Sequence, residues 1–486
     1  MTFLKEHAPA ILLPGILLIL FAIKGIFLSL LMPWFQSPDE QIHYGTIQHW
    51  AEPAEKTWTI VEKPRGYSND PRDIRTFNLP EETTASAFSS GFDAVKFEEQ
   101  NTQDFSDPNI EAAILSNSWK RHVDTTPAAV SGTKSVFYLV ASWLERYFAD
   151  ESIFVRMFSV RLLAVAFGAL TVLFAYLTAR KIGFSTYAAF LLTTLVAFQP
   201  MFAITAAQVN IDIALIFAFS LYLYAGVSLL RDGLHWGYVS LALAAVALGL
   251  LSKGPGIVLV AMFYPLFVWS AHQKLRLPLK RFLPLLIGVT VILAGLALLA
   301  VPKSYFLSIT NFSTQSAFDS PLASIGKYLD KTLRTGELRD TALSYWGHFG
   351  WLDSSIPDWT LSLIILITLV GFGGTLWYIF SKQEKPAHLP ERKYLVFFLG
   401  LIVLLQLAIR FYDWRVFDAT RQVLIGQPGR YFLPNLIGHL AVVVTGLGFL
   451  LRQKERFTLL LKVLVGAMIL LQVEAIVNVI LPRYYL

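Results

Sequence analysis

The stretch with the richest chemistry in this chain is Ser37-Pro38-Asp39-Glu40-Gln41-Ile42-His43-Tyr44. Two adjacent carboxylates are followed by a histidine three residues beyond Glu40, so a helix starting at Asp39 carries Glu40 and His43 on one face. A carboxylate at the edge of a low-dielectric medium has a raised proton affinity and suits a general base. The same two acids also suit the first turn of a helix, where they complement its dipole.

Three cations are candidates to face those acids. Arg430 stands in Gln427-Pro428-Gly429-Arg430-Tyr431-Phe432, where a guanidinium at the membrane surface can grip a phosphate through two N–H groups. Lys253 sits in a tight turn, Ser252-Lys253-Gly254-Pro255-Gly256, and Lys134 precedes the apolar segment Val136–Phe148. Each alone also reads as a cation snorkelling to the interface. Together, on the side that holds Asp39 and Glu40, they point to an anion-binding cavity.

Other polar residues occupy positions where an apolar one is the default. Gln208, Asn210 and Asp212 follow Phe198-Gln199-Pro200, Arg156 and Arg161 open the next apolar stretch after Val136–Phe148, and Glu474 lies in the last one. Ionisable groups at membrane depth face a bundle interior and pair, which predicts an ion pair between Asp212 and one of the two arginines. Trp346-Gly347-His348-Phe349-Gly350-Trp351 supplies aromatics that suit stacking on a sugar ring, a lipid groove or an interfacial belt, and Trp359 suits the belt.

The elements that position these residues are membrane spans. Of 486 residues, 55% are hydrophobic and 15% charged, and the mean hydropathy is +0.54. That composition excludes a wholly water-soluble chain, since soluble domains carry roughly 25% charged residues. Zero cysteines exclude disulfides, thiolate nucleophiles and thiolate metal sites. No nucleotide-binding glycine motif, Walker loop or internal repeat is present, and the modest net charge of +6 calls for no nucleic-acid partner.

Hydropathy predicts an all-α polytopic protein of about eleven spans, near 9–34, 152–179, 185–204, 208–230, 236–252, 255–271, 282–302, 359–380, 393–411, 431–451 and 457–480. The first reads as a retained signal anchor. Residues 136–148 are too short to cross and suit a re-entrant or interfacial segment. The chain thus divides into a first span (1–34), a large extracytoplasmic loop (35–135), a bundle (136–302), a second outer loop (303–358) and a C-terminal bundle (359–486), with a shorter outer segment over 412–430 inside that last part.

Orientation follows from Arg180, Lys181, Arg231, Lys274, Arg276, Lys280, Arg281, Lys382, Lys385, Arg392, Lys393, Arg452, Lys454 and Arg456, which fall in short loops on one side. The excess of positive charge in cytoplasmic loops places the N-terminus in the cytoplasm and Asp39 outside. Residues 35–134 hold 16 Asp and Glu against 9 Lys and Arg, and an insert of that length is folded or functional.

These residues in this order resemble the GT-C superfamily of membrane glycosyltransferases. They are most similar to a family of bacterial polytopic membrane proteins on that fold whose members carry Pro-Asp-Glu-x-x-His after helix one, an Asn-Asp pair in an outer turn, Trp-Gly-x-Phe-Gly-Trp and Gln-Gly-Arg-Tyr. The matching positions are Pro38, Asp39, Glu40 and His43; Asn210 and Asp212; Trp346 to Trp351; and Gln427 with Gly429, Arg430 and Tyr431. Ile211 and Pro428 interrupt the pattern, and Gly132-Thr133-Lys134 stands where relatives carry a His or Pro-Pro pair.

The resemblance implies an inverting transferase at the outer face of the cytoplasmic membrane. Its donor would be a polyprenyl-phosphate sugar and its acceptor a cell-surface glycan, lipid or protein. Asp39, then Glu40, with His43, would be catalytic. Lys134, Asn210, Asp212, Lys253, Trp346, His348, Trp351, Gln427, Arg430 and Tyr431 would bind substrate. Some GT-C enzymes hold a divalent metal through the acid and others do not, so a metal stays open. A lipid-linked glycan transporter or flippase, a glycan ligase or polymerase, and a structural partner docking other proteins through the large loop are the competing readings.

Overall fold

The computed structural model describes residues 2–52, 79–91, 107–116, 121, 135–275, 284, 320–334, 336–421 and 428–486. Helix α1 (Thr2–Leu31) leads to α2 (Glu40–Ala51), and the large insert contributes α3 (Glu81–Ser89) and α4 (Pro108–Leu115). Then come α5 (Val136–Tyr147), α6 (Ile153–Lys181), α7 (Thr186–Phe198), α8 (Pro200–Thr205), α9 (Asp212–Asp232), α10 (Trp236–Leu250) and α11 (Ile257–Leu275). The second half holds α12 (Pro321–Arg334), α13 (Glu337–Trp346), strands β1 (His348–Phe349) and β2 (Ser354–Ser355), α14 (Asp358–Phe380), α15 (Arg392–Thr420), α16 (Leu436–Leu451), α17 (Lys454–Glu474) and α18 (Leu481–Tyr484).

Among the described residues, eight helical stretches are long and apolar enough to cross a bilayer. The shorter apolar helices α7 and α10 run for 13 and 15 residues. The chain is a multi-pass helical membrane protein. The span expected over 282–302 lies outside the described residues apart from residue 284, and so do Lys134 and Gln427.

Local sequence sets the helix ends. Ser185 Oγ accepts from Ala188 N at 3.2 Å to start α7, and Gln199 with Pro200 at the first helical position breaks the expected 185–204 span into α7 and α8. Residues 208–211, expected inside a span, form the turn before α9, where Asn210 Oδ1 caps Ile213 N at 3.1 Å. The span expected over 393–411 runs on to Thr420, because Trp414 and Phe417 continue the apolar pattern and Asp413 is buried against Tyr328. That extension turns much of the outer segment expected at 412–430 into helix. Beside the expected helices stands one short hairpin of two-residue strands, β1 and β2, antiparallel with His348 opposite Ser355.

The interior is held by close helix contacts. Between α14 and α16 a Cβ on Gly446 would stand 1.8 Å from the Gly371 carbonyl oxygen, so only glycine lets these backbones touch. Thr375 Oγ1 donates to Val442 O at 2.6 Å across the same seam. At one end of the bundle the ends of α1 and α8, the starts of α2, α6 and α9, and the Gly429–Asn435 3₁₀ turn converge.

Candidate active site

Arg161 organises that convergence. Its Nε and Nη2 donate to the two oxygens of Glu40 at 2.9 and 2.8 Å. Its remaining N–H groups reach the carbonyls of Ser29 and Met32 (both 2.7 Å) and of Pro33 (3.1 Å) at the end of α1. All five guanidinium donors are thereby used. Glu40 also accepts from Val209 N at 3.0 Å and Phe35 N at 3.2 Å, and both partners of the ion pair are fully buried. Glu40, expected to share the chemistry with Asp39, instead has every strong acceptor site filled by the protein. It fastens α2 to α1, α6 and the turn before α9.

The arginine partners also differ from expectation. Asp212 pairs with neither Arg156 nor Arg161. Arg156 donates to Glu145 at 2.5 Å and Glu82 at 2.6 Å, and Tyr44 donates to Glu145 at 3.0 Å. This buried group ties α2, α3, α5 and α6 together. Burial raises the Glu145 carboxyl above its ordinary value, with Arg156 pulling the other way. Glu474, expected in a bundle interior, is half-buried and accepts from Asn478 at 2.6 Å.

Asp39 precedes α2 in the left-handed conformation, φ 66° and ψ 9°, which Asp tolerates better than most residues. Its carbonyl accepts from His43 N at 2.9 Å while its side chain, 45% exposed, turns to Arg430. Arg430 Nη2 lies 3.5 Å from Asp39, and Arg430 Nε lies 3.6 Å from Asp212. Lys253 donates to Asp212 at 2.6 Å and its ammonium sits 3.9 Å from the centre of the Tyr431 ring. Four charges from four distant segments thus alternate in sign as Asp39, Arg430, Asp212 and Lys253. Burial works against the Lys253 charge, yet Asp212 and Tyr431 keep its pKa above the ordinary lysine value.

A narrow cleft runs beside this chain. Pro38, Gln208, Asn210, Asp212 and Arg430 line one side, and His348, Phe349, Gly350 and Leu352 of the hairpin line another. Asp39 and Lys253 reach it through Arg430 and Asp212. His43 Nδ1 lies 2.6 Å from Tyr138 Oη. Burial lowers His43 to about 4, with Asp39 and Asp212 opposing that shift and Lys253 and Arg430 adding to it, so the imidazole is neutral at pH 7.

The hairpin is pinned over the cleft at several points. Trp351 Nε1 donates to Phe35 O at 3.1 Å, and Arg483 of α18 pairs with Asp353 at 3.1 Å. Gly350, with φ 58°, lies against the Tyr484 hydroxyl, where a Cβ would approach to 2.3 Å. Trp346 is buried edge-on to Tyr345, with ring centres 5.3 Å apart. Neither tryptophan offers a free stacking face in the cleft, because both are used to hold the hairpin and α13. Trp359 is 70% exposed at the start of α14.

The sequence reading gave no site role to Tyr138, Ser37 or Phe349 and missed the pairing of Ser37 with Gln208 at 2.6 Å. One of the two arginines at the head of α6 was expected to pair with Asp212; the carboxylate partners of the two are Glu40, Glu82 and Glu145 instead. Among the described residues no three His, Asp or Glu side chains converge to hold a metal ion. Asp39 and Asp212 both face Arg430, a donor set that does not fit a divalent cation.

Comparison with known proteins adds a family match. Residues 137–318 match the model of the dolichyl-phosphate-mannose-protein mannosyltransferase family, which is less than half of the chain. The match agrees with the resemblance to membrane glycosyltransferases carried by the motifs. No curated protein sequence matches. Among solved structures, the oligosaccharyltransferase of Archaeoglobus fulgidus, tethered to an acceptor peptide, is similar over 98% of this chain at 14% identity and a TM-score of 0.44. The apo structure of ArnT from Cupriavidus metallidurans is similar over 63% of this chain at 18% identity and a TM-score of 0.26. This chain spans 56% of the former and 65% of the latter.

Proposed function

We propose that the protein is a membrane glycosyltransferase that moves a sugar from a polyprenyl-phosphate donor to an acceptor hydroxyl or amide at the cleft. The observation that carries this reading is the alternating chain Asp39, Arg430, Asp212 and Lys253 beside a cleft at one end of a membrane bundle. The family matched over residues 137–318 acts, by its name, with a lipid-phosphate-linked mannose. By the orientation of the basic loops, the reaction takes place on the extracytoplasmic side.

In this reading Asp39 removes the acceptor proton as the acceptor atom attacks the anomeric carbon. The bond from that carbon to the phosphate oxygen breaks with its electron pair, leaving the lipid phosphate. A single displacement inverts the anomeric centre. The two contacts of Arg430 to carboxylates are long, at 3.5 and 3.6 Å, so its guanidinium can turn to an incoming phosphate and hold it by two charge-assisted bonds. Lys253 adds a second positive charge, and such charge aimed at the leaving oxygen lowers the barrier to its departure. Asp212 positions both cations. His43, neutral and fixed by Tyr138, offers a hydrogen bond beside Asp39 without competing for the phosphate.

The test is turnover of a panel of short polyprenyl-phosphate sugars by the protein in nanodiscs, followed by mass spectrometry, with donor affinity measured in parallel. Arg430→Ala and Lys253→Ala are expected to weaken donor binding and to lower turnover together. Donor binding with no transfer to any acceptor, accompanied by movement of donor across the bilayer of sealed vesicles containing the protein, would instead establish a transporter.

A further inference from the structure

We infer that α12 (Pro321–Arg334) lies in the bilayer interface on the cleft side, with its apolar row in contact with lipid. The residues of α12 divide into three sectors about a third of a turn apart at 3.6 residues per turn. Ser324, Tyr328 and Thr332 are buried against the protein. Leu322, Ile325, Leu329 and Leu333 are 82%, 38%, 52% and 68% exposed. Lys327, Asp330, Lys331 and Arg334 occupy the remaining sector, and Arg334 pairs with Asp330 at 2.5 Å.

The depth of the packed sector follows from α15. Trp414 Nε1 donates to Ser324 Oγ at 3.1 Å, and Tyr328 donates to Asp413 at 2.8 Å. The Tyr328 and Phe417 rings are 5.7 Å apart. Helix α15 starts at Arg392, and about 20 residues cross the hydrocarbon core. Asp413, Trp414 and Phe417 are therefore the first residues to emerge, and α12 rests on them at interface height.

On α15, the helix that α12 rests on, Leu407, Phe411 and Tyr412 are 61%, 59% and 50% exposed. The charged sector of α12 points away from its apolar row. A helix in water has no use for four outward aliphatic residues in register, whereas an interfacial helix is built with one apolar and one charged side. Lipid is the occupant that both the height on α15 and the charge arrangement fit. The consequence reaches the cleft. Helix α13 follows at once through Gly336, and Ser344 of α13 accepts from Gly429 N at 2.6 Å, next to Arg430. Anchoring α12 in the interface sets the height of that wall relative to the lipid headgroups, whatever chemistry the cleft performs.

The chain has no cysteine, so single-cysteine spin labelling needs no prior removal. Ile325→Cys, Leu329→Cys and Leu333→Cys, with Lys327→Cys, Asp330→Cys and Arg334→Cys as the charged sector, are labelled in full-length protein in lipid vesicles. Collision rates with oxygen, which concentrates in bilayers, and with a water-soluble nickel chelate are compared. The expected result is an oxygen-to-chelate ratio several-fold higher at 325, 329 and 333 than at 327, 330 and 334. A high chelate rate at all six positions places the helix in water and overturns the inference. Low rates with both reagents at 325, 329 and 333 mean that protein covers the row, a second copy or a partner, and overturn it equally. Leu322→Cys repeats the reading on the same row should one of the three fail to insert.

Discussion

Asp39 and Glu40 differ by one position, and the left-handed turn at Asp39 sends their carboxylates to different neighbours. Glu40 is sealed with Arg161 among the ends of α1, α2 and α6, while Asp39 stays half-exposed beside Arg430. Removing one partner of such a buried pair strands the other charge, at a cost of about 3–5 kcal/mol. Glu40→Gln is therefore expected to lower the apparent unfolding midpoint in nanodiscs substantially, with loss of activity following loss of fold. A Glu40→Gln protein as stable as wild type but inactive would mean that Glu40 itself does chemistry. The sequence showed that the acid pair mattered but not how the roles divide. Nothing in Pro-Asp-Glu-x-x-His says which carboxylate a distant arginine will take, since that depends on where α6 lands beside α1.

Among the elements, the Gly429–Asn435 turn is the most exactingly packed part of the site. A Cβ at position 429 would stand 2.1 Å from the Thr341 carbonyl oxygen and 2.2 Å from Tyr345 N, both backbone atoms of α13. Gly429→Ala must push the turn and α13 apart, at about 1–3 kcal/mol for an overpacked site, and moves Arg430 with it. The expected outcome is a lowered unfolding midpoint together with donor affinity reduced towards that of Arg430→Ala, read by thermal melts and donor binding in parallel. Unchanged donor affinity would show that Arg430 is placed by something other than this contact. Runs of apolar residues made most spans legible from hydropathy, and the charges in the short loops gave one consistent register. The breaks at Gln199-Pro200 and 208–211 were less so, because their polar residues are satisfied by tertiary partners such as the Tyr345 carbonyl, which accepts from Gln199 at 2.6 Å. The hairpin at 348–355 was invisible to periodicity, being too short to show an alternation.

At the scale of the whole molecule, residues far apart in sequence are gathered at one end of a membrane bundle. Asp39 and Arg430 are separated by 391 positions, and the hairpin that closes over them is held by the end of the chain through Arg483 and Asp353. The motifs could be read in order along the sequence, but their meeting point depended on helix packing and on Arg161, which no motif named. In the proposed function, this meeting point performs sugar transfer with Asp39 as the base. The most direct measurement is turnover of a polyprenyl-phosphate sugar by wild type and Asp39→Asn in nanodiscs, with donor affinity determined on the same preparations. General-base catalysis contributes roughly 100- to 10,000-fold, so Asp39→Asn is expected to lose turnover on that scale while binding donor nearly as wild type does. Turnover retained in Asp39→Asn would exclude Asp39 as the base.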